Sequence, residues 1–336
     1  MIAQWIVALA GVGGCALPLD PLPVGDAAEP PPPPQTKGCA LFAGQTLSGP
    51  GVSWTGQSGE AIWLFGGAVA SGQEDGIALT SPAATDPCAS MAGAIDAALP
   101  ASSATADNAV PLSSVEAAGK RWVYYQAWRQ DPAMPFGVRT TGYGVANCAG
   151  PAGQCQRSAM LWTADRPNYG QAAWSDGEFL YVYGCENGTA LLERHCFAAR
   201  TVPGGVTDPT KYAYAIGVNQ FSANVENAQP ILADVGDLYV AAHRSGRLLF
   251  SYVTPLGSDI WVRTALGPTG PFSSPQRLLR CATLPGEFCV GGARHPQWEQ
   301  SGQDVVVSWQ LASFGKLELS RRQPVLARIL LPKLLP

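Results

Sequence analysis

Gly177-Glu178-Phe179-Leu180-Tyr181-Val182-Tyr183 sets the frame for the whole chain. A glycine-led polar turn runs into aromatic and β-branched residues, the pattern of a strand bounded by turns. Four other segments repeat it: Gly59-Glu60-Ala61-Ile62-Trp63-Leu64-Phe65, Gly119-Lys120-Arg121-Trp122-Val123-Tyr124-Tyr125, Gly236-Asp237-Leu238-Tyr239-Val240 and Gly302-Gln303-Asp304-Val305-Val306-Val307. Their leading glycines lie 60, 58, 59 and 66 residues apart. That period is too wide for one strand and fits a four-stranded sheet with long loops. Sheets repeated radially around an axis keep their exposed edges short. The reading is therefore all-β: a five-bladed β-propeller of four-stranded antiparallel blades filling 37–336. The competing arrangement is a pair of β-sandwiches with accidental spacing.

A second set of strand-like runs falls after the first and reads as outer blade strands: Ala159–Ala164, Cys196–Arg200, Ile260–Ala265 and Val325–Ile329. The Ala-rich stretch Ala83–Ala106 has room for one short helix between Pro87 and Pro100. At Asn187-Gly188 two local rules collide. A two-residue hairpin turn there would set Cys185 opposite Ala190 and Cys196 opposite Phe179. A disulfide needs Cα atoms within about 7 Å, so a Cys185–Cys196 bridge demands a wider loop. The bridge is the favoured alternative.

The chain has 336 residues, of which 46% are hydrophobic and 14% charged, with net charge −4. Without a Lys/Arg cluster it is a poor nucleic-acid binder, because that affinity comes from neutralising phosphates. Ile2–Val12 is apolar but too short to span a bilayer, and it ends in Val12-Gly13-Gly14-Cys15. This resembles a bacterial lipoprotein signal over 1–14, with Cys15 as the lipidated residue. No basic residue precedes Lys37, a departure from the positive leader of such signals. The alternative is a buried apolar N-terminal strand. The stretch 15–36, with Pro30–Pro34 at its end, is an extended Pro-rich linker. An anchored protein of this kind is extracytoplasmic, held to the membrane through the lipid alone.

Eight cysteines remain, an even number that suits disulfides in an oxidising compartment. Neighbouring pairs are Cys148–Cys155, Cys185–Cys196 and Cys281–Cys289, leaving Cys39–Cys88. Loop closure is worth roughly 2.5 kcal/mol for each short bridge and ~4 for the long one. Zinc is the rival use of cysteine, but the chain has no Cys-x-x-Cys and no spaced histidine pair. No metal site and no cofactor are expected, although a structural calcium is compatible with the composition.

Several stretches resemble the domain-of-unknown-function 4185 family, five-bladed propellers with endo-D-arabinanase members. They are Trp63–Gly67, Tyr169–Ala173 leading into Leu180–Gly184, Arg263–Ala265 with Gly270–Pro275, and Gly292–Pro296. They are spread over most of the chain after the linker. The resemblance implies a glycoside-hydrolase-like fold and a glycan or polysaccharide partner. It also exposes a departure. Where the family's first blade looks to have Phe-Gly-Asp, this chain reads Phe65-Gly66-Gly67. Glycosidic hydrolysis takes a pair of carboxyl groups, and Gly67 supplies none; Glu74 and Asp75 are the nearest acids beyond it.

If an innermost strand precedes each aromatic run, Asp107 and Asn108, Tyr169 and Gln171, Glu226 and Asn227, and Arg294 and His295 approach the axis. Asp107 and Glu226 are the carboxylates of this set and the catalytic candidates. The others are candidate ligand-binding residues, as is Trp174, a stacking platform in a Gly/Ser/Asp-rich context. Arg294 and His295 offer hydrogen bonds to sugar hydroxyls or an anion. Each has a plainer reading: an inter-blade hydrogen bond or turn cap for the acids, a satisfied histidine at a Pro turn. Three functions follow: a monomeric glycan-binding lipoprotein with a degenerate site, an active glycoside hydrolase, or an envelope scaffold.

Overall fold

The computed structural model describes residues 38–42, 47, 49–56, 59–66, 77–82, 96–99, 107–134, 137–149, 154–190, 192–300, 304–313 and 323–331. The segments 1–14 and 15–36, with Cys15, lie outside the described residues, as do Gly67, Glu74, Asp75 and Cys88. A two-residue strand β1 (Cys39–Ala40) comes first. Then β2 (Val52–Thr55), β3 (Glu60–Phe65), β4 (Ile77–Pro82) and β5 (Asp96–Ala97) pair in order as the first antiparallel sheet. β6 (Asn108–Ala117), β7 (Lys120–Gln130), β8 (Val138–Asn147) and β9 (Gln156–Thr163) form the second. The third contains β10 (Ala172–Ser175), β11 (Leu180–Asn187), β12 (Arg194–Thr201), β13 (Ala213–Gly217) and β14 (Gln220–Ser222), with β15 (Leu232–Ala233) added beside β12. β16 (Leu238–Ala242), β17 (Leu248–Val253), β18 (Asp259–Ala265) and β19 (Gln276–Arg280) make the fourth. β20 (Glu287–Arg294), β21 (Asp304–Ser313) and β22 (Val325–Leu330) make the last, completed by β1 against β22.

The architecture is all-β and propeller-like. Four sheets have the four-stranded form, not the five expected; the third carries six strands. Five apolar cores lie between consecutive sheets. The last joins the fifth to the first, through Val306 and Leu326 against Trp63 and Phe65. The sheets therefore close a ring, and β1 ties the two ends of the chain into one sheet.

The second strand of each sheet is covered on both faces. This is why β3, β7, β11 and β21 are continuous apolar runs rather than alternating ones. The fourth run is different: Gly236–Val240 leads into β16, the innermost strand of its sheet. Of the second set of runs, only Ala159–Ala164 falls mostly on an outermost strand, β9; the other three lie on the third strands β12, β18 and β22. In the Ala-rich stretch, Asp96–Ala97 are strand, not helix.

Cys148–Cys155, Cys185–Cys196 and Cys281–Cys289 are disulfides. Cys39 is also disulfide-bonded. Cys185 and Cys196 are direct cross-strand partners, so β11 runs on to Asn187 and the hairpin closes through the wider loop 188–193. Among the described residues no helix is long and apolar enough to cross a membrane.

Candidate functional site

The innermost strands β2, β6, β10, β16 and β20 surround one axis, and β10, β16 and β20 run in the same direction. Side-chain pairings fix the direction. At the upstream end Gln171 Nε2 donates to Asp237 Oδ1 (3.1 Å), and the Gly291 N–H donates to Asp237 Oδ2 (2.9 Å). At the downstream end Arg294 Nη1 donates to the carbonyls of Ala241 and Ala242, both at 3.1 Å. Close approach is built with glycine: a Cβ on Gly170 (φ 96°) would sit 2.5 Å from Cβ of Tyr124.

The downstream half of the channel opens into a cavity of about 520 Å³, lined by all five innermost strands. Its size is ordinary for a small-ligand site. Trp54 and Trp174 line it, each followed in sequence by a hydroxyl residue, Thr55 and Ser175. Trp174 stacks on Tyr181 with ring centroids 5.5 Å apart and planes 22° apart, so a single face of its indole is left to the cavity. Glu116 and Arg121 pair at 2.9 Å across the β6–β7 hairpin, and the Arg121 guanidinium lies over Trp54. Arg294 also lines the cavity, but four of its five N–H donors are taken, by Glu299 (2.5 and 2.6 Å) and by the two carbonyls. The wall thus combines aromatic surface, hydroxyls and charges that are already paired.

A directional hydrogen-bond chain braces one side. Gln297 Nε2 donates to Ser53 Oγ (2.5 Å), and Ser53 donates to His295 Nδ1 (2.5 Å). His295 Nε2 meets Ser308 Oγ at 2.7 Å, while Ser308 gives its hydrogen to the Pro50 carbonyl (2.5 Å). Ser308 has one hydrogen and spends it on Pro50, so Nε2 carries a proton and donates to Ser308; the ring is neutral, with Nδ1 accepting, because of its burial. Full burial pushes its pKa down to about 3.

The expected axis geometry is corrected at several residues, because the fourth run is itself innermost. Glu226 and Asn227 sit in a one-turn 3-10 helix (Val225–Asn227) on the third sheet's loop, exposed and away from the cavity lining. Arg166 donates to Glu226 Oε1 at 2.6 Å, and this hydrogen bond and charge hold the carboxyl below its usual range. Asn227 Nδ2 donates to Ser222. Asp107 precedes β6 at the upstream end, accepting from Thr141 Oγ1 (2.6 Å), with Asn108 paired opposite Trp128. Neither Asp107 nor Asn108 lines the cavity. Tyr169 is core, its ring against Trp162 and Tyr214, and burial raises its hydroxyl pKa. Gln171 is buried against Asp237, and His295 is the plain alternative: a satisfied interior histidine.

Of the residues singled out from the sequence, Trp174 and Arg294 meet in the cavity. Asp237, Trp54, Glu116, Arg121 and Gln297 were missed. The repeated Trp-hydroxyl step at the ends of β2 and β10 is the signal that would have found Trp54. Among the described residues no cluster of three or more His, Cys, Asp or Glu could hold a metal ion.

A family model matches residues 103–315, more than half of the chain. The chain belongs to the family described as Domain of unknown function (DUF5005). This is a different family model from the 4185 family expected from the sequence motifs. No curated protein matches the chain. Among solved structures, a protein from Bacteroides ovatus ATCC 8483, provisionally described as a hydrolase, aligns with TM-score 0.61 and 12% identity over 87% of each chain. An exo-beta-1,3-galactanase from Phanerochaete chrysosporium, solved with beta-1,3-galactotriose, aligns with TM-score 0.55 and 11% identity over 87% of this chain and 62% of its own. An alpha-L-arabinofuranosidase from Lactobacillus brevis aligns with TM-score 0.54 and 12% identity over 84% of this chain and 90% of its own. At these identities the DUF5005 chain shares a fold with them, and fold does not dictate chemistry.

Proposed function

We propose that the protein is an extracytoplasmic, glycan-binding propeller in which the six-stranded sheet takes the place of a fifth blade. It holds neutral sugar residues in the channel cavity without hydrolysing them, as a monomer and without a cofactor. The wall of the cavity carries this reading. Trp54 and Trp174 stand beside Thr55, Ser114 and Gln297, and the one lining carboxylate among the described residues, Glu116, is already held by Arg121. Stacking surface with hydroxyl and amide partners suits a sugar, and paired charges do not select an ion. Hydrolysis would need two carboxyl groups about 5–9 Å apart across the bond. Asp107 and Glu226 lie outside the cavity, each with its own partner. A second reading, an active glycoside hydrolase, is favoured by the fold shared with a galactanase and an arabinofuranosidase.

One titration separates the two. Beta-1,3-galactotriose and debranched arabinan should bind without release of reducing ends. Trp174→Ala should weaken binding by about 2 kcal/mol, roughly thirtyfold. Reducing ends that appear with the wild type and vanish in Asp107→Asn or Glu226→Gln would establish the hydrolase instead.

The tether belongs to the same proposal: a lipid on Cys15, with 15–36 as spacer, supported by the Val12-Gly13-Gly14-Cys15 sequence and by three disulfides in the folded body. In membrane fractionation of a bacterial host, Cys15→Ser should move the protein to the soluble fraction. A variant that stays with the membranes rules the lipid out.

A further inference from the structure

A second polar feature lies outside the cavity, on the third sheet. Trp174, Tyr181 and Arg200 are direct cross-strand partners on β10, β11 and β12, so they share one face. Phe179 lies two residues before Tyr181, with its ring 6.2 Å away, and Phe221 on β14 is 6.3 Å from Tyr181. The Arg200 guanidinium carbon sits between these two rings, 4.2 Å from the Phe179 centroid and 4.1 Å from that of Phe221. The two rings hold the guanidinium in place, and the residue stays partly exposed. Its polar neighbour is the Tyr181 hydroxyl, which itself donates to Asp176 Oδ2 (3.2 Å). Among the described residues no carboxylate forms an ion pair with Arg200.

We infer that Arg200 is an anion subsite that binds the carboxylate of an acidic sugar residue in the glycan held by the channel. The inference rests on the glycan reading of the cavity. A guanidinium fixed in a plane presents parallel donors that match the two oxygens of a carboxylate, and the flanking rings remove the entropy that a free arginine side chain would lose. Arg200 stands two strand spacings from Trp174, about 10 Å along the sheet. Tyr181 between them is buried, so a chain stacked on the free face of Trp174 reaches Arg200 by passing over the rings that cover it. The ligand class is an oligosaccharide with neutral residues in the cavity and one carboxylate-bearing residue beyond it. The cavity's own charges, being paired, leave this recognition to Arg200.

The test uses the full chain and a matched pair of probes: beta-1,3-galactotriose, and its analogue with the terminal primary alcohol oxidised to a carboxylate. By calorimetry the wild type should bind the analogue about tenfold more tightly than the parent, with the gap shrinking in high salt. Arg200→Gln should bring the two within about twofold while keeping affinity for the neutral sugar. Arg200→Lys, which keeps the charge and loses the planar fork, should fall between. Equal affinity of the wild type for both probes, or no binding of the analogue, overturns the subsite. So does an equal loss of both probes in Arg200→Lys, which would make the side chain a structural spacer. If the analogue binds through Arg200 but the neutral sugar binds nowhere, the subsite stands and the cavity reading fails. If Trp174→Ala loses both probes and Arg200→Gln loses neither, the reverse holds.

Discussion

Asp237→Ala should lower the free energy of unfolding by about 3–5 kcal/mol, more than any other single truncation along the axis. The carboxylate is 5% exposed and joins three sheets: it sits at the start of the fourth, accepts from Gln171 of the third and accepts from the Gly291 N–H of the fifth. Burial raises its pKa, while the charge of buried Arg194 and the two donors pull it back down. Removing it strands two N–H groups and leaves the Arg194 guanidinium, whose pKa burial lowers, without its nearby countercharge. Asp237→Asn separates charge from shape. An amide presents one acceptor where two donors converge, so one N–H stays unmet, at about 1–3 kcal/mol. Rotating the Gln171 amide does not help, because its Nε2 also serves the Gly236 carbonyl at 3.2 Å. Urea midpoints should rank wild type, Asp237→Asn, Asp237→Ala. An alanine variant within about half a kcal/mol of the wild type, the range of an ordinary surface substitution, would mean that the ring does not depend on this clamp.

Asp237 also shows where the sequence stops being legible. A strand covered on both faces has to be apolar throughout, so the second strands β3, β7, β11 and β21 stand out, and with them the period and the ring. An innermost strand faces a neighbour on one side and a channel on the other. Its residues, such as Val52-Ser53-Trp54-Thr55, follow no simple alternation. β16 is apolar enough to pass for a second strand, and its leading glycine falls 59 residues after the previous one. That coincidence moved the expected axis residues of the fourth sheet to Glu226 and Asn227 and hid Asp237. Trp174 was legible because a large ring in a Gly/Ser/Asp context has little core to join. Arg121 was not, because it sits inside an aromatic run, and its partner Glu116 becomes meaningful only once the β6–β7 register is known.

The wall built on His295 should make the protein acid-sensitive from a higher pH than its carboxylates would. The unfolded chain takes a proton on this imidazole near pH 6.5, whereas the folded protein, with the pKa pushed down to about 3, does not. Between those values the unfolded state binds more protons. The stability is therefore fully present above pH 6.5 and falls with acidification by about 1.4 kcal/mol per pH unit, on the order of 4–5 kcal/mol by pH 3. The hydrogen-bond chain explains why the ring resists its proton. Nδ1 already accepts from Ser53, and that serine is itself held by Gln297. Protonation would turn an acceptor into a donor facing a donor, beside the Trp63 and Trp298 rings rather than beside water. His295→Gln preserves one acceptor and one donor but cannot titrate. Comparing it with the wild type between pH 7 and pH 5 keeps the other two histidines, His195 and His243, common to both. The wild type should lose about 2 kcal/mol relative to the variant over that range. Parallel stability curves would mean that the buried ring takes its proton freely, with Ser53 turning to accept. The channel wall would then owe its shape to packing by Trp63 and Trp298 rather than to the direction of those hydrogen bonds.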